Sequence, residues 1–153
     1  MNIILMTETH LQDVAEIERQ CFHAPWSAQA LREELGKGHI FLAAVENGQA
    51  IGYVGCQVVL DEGYITNVAV LPAARQRGIA SALLNALARQ GQALGLSFIT
   101  LEVRQSNHAA LAVYQTQGYI QVGVRPGFYH DPKEDAILMT KYFTKEGECY
   151  DRN

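Results

Sequence analysis

The stretch Val70-Leu71-Pro72-Ala73-Ala74-Arg75-Gln76-Arg77-Gly78-Ile79-Ala80-Ser81 joins two kinds of structure. The residues leading to Leu71 are rich in β-branched side chains, as a strand requires, and Pro72 stops it by removing a backbone donor. From Gln76 the period changes. Ile79, Leu83, Leu84, Leu87 and Leu94 fall largely on one face of a helix that Gly95 closes. The first turn of such a helix presents N–H groups without intrahelical partners at the positive end of the dipole. That is an anion site, and phosphate is its usual guest. Gly78 and Ala80 leave room for a bulky pyrophosphate, and Arg75 and Arg77 add positive charge at the edge. The stretch lacks the lysine and hydroxyl residue of a P-loop and is not the Gly-x-Gly-x-x-Gly dinucleotide fingerprint. By spacing alone it also suits an ordinary strand-to-helix turn with solvated arginines.

On the N-terminal side, residues 2–6 read as a first strand. Thr9 is a helix cap with Gln12 as its capping-box partner, and Leu11, Val14, Ala15, Ile17, Glu18, Cys21 and Phe22 follow helical spacing. Ala24-Pro25-Trp26 breaks that helix; Ser27 caps a short one ending at Gly36 or Gly38. Residues 39–45 and 50–60 form a hairpin around Asn47-Gly48, and Asp61-Glu62-Gly63 turns the chain into a third antiparallel strand. On the C-terminal side the expected order is a helix over 76–94, a strand over 98–103 and a helix from Ser106 or Asn107 to about Gln117. Two closing strands follow, at 119–124 and 136–142, separated by a loop with Pro126, Gly127 and Pro132. The expected class is mixed α/β with a right-handed β-α-β crossover in the middle.

Composition narrows the function. The chain has 153 residues, 48% of them hydrophobic, enough for one domain with a real core. We expect one domain over 1–143 and a polar tail, disordered in character, over 144–153. A net charge of -4 argues against a nucleic-acid binder and leaves room for a cationic substrate such as an amine. Cys21, Cys56 and Cys149 are far apart, and the histidines have no ligand spacing, so neither a metal site nor a disulfide framework is expected; reduced thiols suit a cytoplasmic protein. No basic leader and no apolar run of about 20 residues is visible, so no membrane segment is expected.

Arg75, Gly78 and Ala80 match the cofactor motif of the GNAT acetyltransferase family: arginine or glutamine, two residues, glycine, one residue, then glycine or alanine. The chain also resembles, in order from about residue 3 to residue 143, the branch that acetylates the N-terminal alanine of a ribosomal protein. The likeness lies in Phe22-His23-Ala24-Pro25-Trp26-Ser27, Val59-Leu60-Asp61-Glu62, Leu101-Glu102-Val103-Arg104, Ser106-Asn107-His108-Ala109-Ala110, Leu111-Ala112-Val113-Tyr114, Gly118-Tyr119 and Glu134-Asp135-Ala136. The resemblance implies a twisted mixed sheet of about seven strands flanked by about four helices. It implies acetyl-CoA as co-substrate, no metal, and direct attack on the thioester by an amine.

It also assigns residues. The backbone of Val68, Ala69 and Val70 would face the thioester carbonyl, where fixed N–H donors stabilise a developing oxyanion by about 3 kcal/mol each elsewhere. Residues Gln76, Arg77, Gly78, Ile79, Ala80 and Ser81, with Arg75, would hold the pyrophosphate. Asn107 would hold the pantetheine arm, or simply cap its helix. Glu102, a carboxylate in an apolar strand, would be the general base, directly or through water; the alternative is a salt bridge to Arg104 or to a neighbouring strand. Tyr114 would protonate the leaving thiolate, or be a packed aromatic. Phe22, Trp26 and Tyr129, the last in the loop over 125–132, would wall the acceptor groove. An N-terminal α-amine suits one glutamate base, because deprotonating lysine at neutral pH costs about 3 kcal/mol more. A small-molecule amine or lysine acceptor, and a non-enzymatic acyl-CoA-binding domain, stay open as alternatives.

Overall fold

The computed structural model describes residues 1–143; the tail expected at 144–153 lies outside them. The order is β1 (Asn2–Leu5), α1 (Leu11–Cys21), α2 (Ala28–Leu35), β2 (Ile40–Glu46), β3 (Gln49–Val59), β4 (Glu62–Val70), α3 (Ile79–Ala93), β5 (Phe98–Arg104), α4 (His108–Thr116), β6 (Ile120–Tyr129) and β7 (Glu134–Tyr142). The strands form one sheet in the order β1-β2-β3-β4-β5-β7-β6, with β4 and β5 parallel and every other pair antiparallel. This is the mixed α/β sheet expected. Strand alternation sends Ile40, Leu42 and Ala44 into a core with α3, and Phe41 and Ala43 into a second core with α1 and α2. A helical layer therefore covers each face. Among the described residues no helix is long and apolar enough to cross a membrane.

Several boundaries differ from the sequence expectation. The first cap is Thr7, not Thr9. Its backbone N–H donates to His10 Nδ1 at 3.0 Å across a short 3-10 turn that leads into α1. The turn expected over 61–63 is the pair Leu60-Asp61, because Val59 pairs with Glu62 and Gly63 already lies in β4. Helix α3 starts at Ile79 and not at Gln76, since Gln76 and Gly78 both take left-handed φ, 64° and 76°, which a continuous α-helix excludes. The loop expected over 125–132 is mostly strand: β6 runs to Tyr129, which pairs with Glu134, and the irregularity is a register shift between Arg125 and Tyr129.

One feature of the sheet creates a site. Strands β4 and β5 pair only at Glu62–Phe98, Gly63–Ile99 and Tyr64–Thr100. Beyond them β4 continues to Val70 and β5 to Arg104. A register shift between Gly55 and Cys56 leaves Thr66 as an extra residue in β4, and a bulge bends the strand that carries it. The two strands part and leave a notch at their C-terminal ends, where parallel sheets commonly bind ligands.

Candidate active site

The β4 wall of the notch offers backbone. Leu71 N–H donates to Ile51 O at 2.9 Å, toward β3. Strand alternation then turns the N–H of Ala69 toward β3 as well, and those of Val68 and Val70 toward the notch. Of the three candidates, Val68 and Val70 thus face the place where a carbonyl would sit. Ala69 is 5% exposed and its side chain fills the core beside α1.

At the head of the notch, α3 begins without a side-chain cap. Ile79, Ala80 and Ser81 occupy its first turn, whose N–H groups have no helical partner. Left-handed Gln76 and Gly78 precede them, the type of conformation that gathers backbone N–H groups into an anion-binding concavity. A Cβ placed on Gly78 meets no atom within 4 Å. The backbone therefore suits a pyrophosphate. The two arginines are already engaged. Arg77 pairs with Glu46, and Arg75 donates from Nε to Val70 O at 3.2 Å and from Nη2 to Cys21 Sγ at 3.4 Å. They brace the loop against β4, α1 and β2.

The opposite wall carries the titratable groups. Ile99, Leu101 and Val103 point into the core with α3, which leaves Glu102 on the other face of β5. Its side chain is 6% exposed. Tyr64 Oη donates to Glu102 Oε1 at 2.5 Å. Glu102 Oε2 is buried without a hydrogen-bond partner; the Arg125 guanidinium stands 3.6 Å away, too far for a hydrogen bond though near enough for charge attraction. Arg104 is not its partner. It donates to Glu134 Oε1 at 3.1 Å and to the backbone oxygens of Pro132 and His130, and stacks 4.5 Å from the centroid of Tyr129. Arg104 thereby fixes the β6–β7 turn.

Tyr114 lies on α4, edge-on to Tyr119 with ring centroids 5.8 Å apart. Among the described residues no hydrogen bond engages its hydroxyl. Burial, with a smaller contribution from Tyr129, pushes the phenol up to about 12. Burial also raises Tyr129, followed by the neighbouring Glu102 carboxylate. Tyr129 is therefore an electrostatic neighbour of both Glu102 and Tyr114. Asn107 behaves as a cap: its Oδ1 accepts from Ala110 N–H at 3.2 Å.

Phe22 is 38% exposed, whereas Trp26 is half-buried against the α1–α2 core. Trp26 N–H donates to Glu18 Oε1 at 2.9 Å. Glu18 itself is 1% exposed and also accepts from Tyr53 Oη and Asn67 Nδ2. Sequence reading missed Tyr64, Arg125, Glu18 and Asn67. A signal existed for one of them: Tyr64 in a strand needed a polar partner, as did Glu102, already singled out in its apolar strand. No local rule says that they serve each other.

Residues 11–119 match the model of the acetyltransferase (GNAT) family. A [ribosomal protein bS18]-alanine N-acetyltransferase of Haemophilus influenzae is 36% identical over 146 residues, 93% of this chain and 99% of that protein. The crystal structure of the ribosomal-protein-S18-alanine N-acetyltransferase from Escherichia coli superposes with a TM-score of 0.86 at 31% identity, covering 97% of this chain and 99% of that one. Arabidopsis thaliana NAA60, solved in complex with acetyl-CoA, shares the fold with a TM-score of 0.84 at 21% identity over 93% of this chain and 99% of its own.

Proposed function

This chain belongs to the GNAT acetyltransferase family, and from that premise we propose that it acetylates the N-terminal α-amine of a protein, a ribosomal protein beginning with alanine, as its relatives' names state for them. Residues 1–143 act as one catalytic domain, in the cytoplasm. The observation that carries the reading is Glu102. A buried carboxylate oxygen without a hydrogen-bond partner is costly, and it lies on the wall of a notch where an ammonium or a water would satisfy it.

Acetyl-CoA supplies an activated acetyl thioester. The N–H groups at the start of α3, with the left-handed Gln76 and Gly78, hold its pyrophosphate; Arg75 and Arg77 hold the loop in shape. Asn107 Nδ2, left over from the cap, serves the pantetheine arm. Val68 and Val70 direct their N–H groups at the carbonyl oxygen and stabilise the negative charge that gathers there. Glu102 Oε2 accepts the proton of the acceptor amine while Tyr64 holds Oε1 and so the carboxylate plane. Tyr114 keeps its proton throughout the physiological range, because its phenol is pushed up to about 12, and gives it to the departing sulfur. Phe22 and Trp26 on one side and Tyr129 on the other bound the acceptor.

Two synthetic peptides that begin with alanine and contain one lysine test the reading, one with a free and one with a blocked α-amine. Acetylation confined to the free α-amine is expected, and mass spectrometry locates it. Modification of the blocked peptide, or turnover of free polyamines alone, refutes the α-amine assignment.

A further inference from the structure

We propose that Glu18 is a positioning residue for the acceptor: its carboxylate ties the segment between α1 and α2 to β4 and thereby sets the groove that the incoming peptide enters. The inference rests on the reading of Phe22 and Trp26 as one wall of that groove.

A buried carboxylate is an expensive way to fill space. Its desolvation is offset only when donors surround it. Glu18, on the last turns of α1, is 1% exposed, and among the described residues no cation pairs with it. Its donors are neutral and come from three separate elements. Trp26 N–H reaches Oε1 at 2.9 Å from the α1–α2 segment. Tyr53 Oη reaches Oε2 at 2.9 Å from β3, and Asn67 Nδ2 reaches it at 3.3 Å from β4. Asn67 Nδ2 also donates to Tyr53 Oη at 2.9 Å, which closes a ring of contacts.

Two features give this ring a purpose beyond packing. The first is its reach. Asn67 directly precedes Val68, whose N–H faces the notch, so one carboxylate joins the acceptor wall to the strand that meets the thioester. The second is how little else holds that wall. Phe22, His23, Ala24 and Pro25 are exposed. Among the described residues the Trp26 N–H to Glu18 bond is the one hydrogen bond that ties residues 23–26 to another element. Without it the segment keeps its two helical ends and the packing of the Trp26 ring, and loses its polar tie to the core. The binding of a peptide must then supply the ordering, which weakens affinity and leaves the chemistry at Glu102 and Tyr114 intact.

Trp26 is the single tryptophan of the chain, so its fluorescence reports on this wall alone. We compare the parent protein with Glu18→Ala and Glu18→Gln. In Glu18→Ala the KM for an alanine-initiated peptide rises about tenfold or more, kcat stays within about threefold, and the KM for acetyl-CoA is unchanged. Glu18→Gln, which keeps an acceptor oxygen for Trp26 N–H, recovers most of that loss. Acrylamide quenching of Trp26 in the free protein rises at least about twofold in Glu18→Ala and less in Glu18→Gln, since quenching follows exposure of the half-buried ring. A folded Glu18→Ala with parental peptide KM and parental quenching overturns the proposal. So does an equal rise in both KM values, which means general loosening. If Glu18→Ala does not fold, Glu18→Met, which fills the space and offers no acceptor oxygen to Trp26 N–H, decides by the same two readouts. If the parent acetylates no peptide, the functional reading fails; quenching still decides the anchor, and unchanged quenching overturns it.

Discussion

Alanine at position 78 separates the backbone demand of the α3 start from its binding role, because Gly95 at the other end of the same helix provides a matched control. Gly78 has φ +76° and Gly95 φ +81°, and a Cβ on either meets nothing within 4 Å. In the free protein both substitutions therefore bring the same penalty, the left-handed conformation of an L-residue, about 1 kcal/mol. For a chain of this size that lowers Tm by about 2–4 °C. The two sites differ in what comes next. At position 78 the methyl group stands at the helix start assigned above to the pyrophosphate; at position 95 it stands at the opposite end of the helix. Displacing the pyrophosphate enough to lose one hydrogen bond to a charged group costs about 1.5–3 kcal/mol, or about 10- to 100-fold in affinity. Differential scanning calorimetry measures the first effect, and titration calorimetry with acetyl-CoA the second. Expected are equal Tm losses and a weakened acetyl-CoA affinity in Gly78→Ala alone. Equal affinities in the two variants would refute the placement of the pyrophosphate at this helix start.

Three further outcomes follow from the site. Tyr114→Phe removes the proton donor and lowers kcat by about a hundredfold or more while acetyl-CoA affinity holds; unchanged turnover takes the tyrosine out of the chemistry. Tyr64→Phe frees Glu102 Oε1 and lowers kcat/KM for the peptide by about tenfold, the worth of a hydrogen bond to a charged group; parental kcat/KM sinks the idea that Tyr64 holds the carboxylate. Burial raises the Glu18 carboxyl above its ordinary 4.5, so the folded state holds that proton more tightly than the unfolded state does. Its favourable contribution is complete below that ordinary value and is lost as pH rises through the raised one. Urea denaturation from pH 4 to 7 should show Glu18→Gln gaining stability on the parent as pH rises, and parallel curves contradict it.

The α3 start shows what was legible before folding. Pro72, the small residues and the apolar stripe from Ile79 marked a strand, a loop and a helix. Yet the helix began three residues later than expected, because φ angles at Gln76 and Gly78 are not written in periodicity. The β6 extension was hidden for a similar reason. Pro126 and Gly127 are turn signals locally, and they fall at the irregularity between Arg125 and Tyr129, where Gly127 takes φ +63° and no β7 residue pairs with them in register; pairing resumes at Tyr129–Glu134 and carries the strand on. Glu102 was conspicuous as a carboxylate in an apolar strand; Arg104, one partner the alternative reading offered it, turns to Glu134, and its neighbours are Tyr64 and Arg125.

By itself the sequence determined the class of fold, the order of its elements and the passage from strand through a small-residue loop into α3. Each of these is encoded within a few residues of chain: a change of period, a proline, a glycine, a cap. The tertiary structure alone decided that β4 and β5 part after Tyr64, that Tyr64 meets Glu102 across 38 residues, and that Glu18 meets Asn67 across 49. Such contacts depend on sheet register and on where a bulge bends a strand. Those are settled by the whole core at once, and no local pattern of residues contains them.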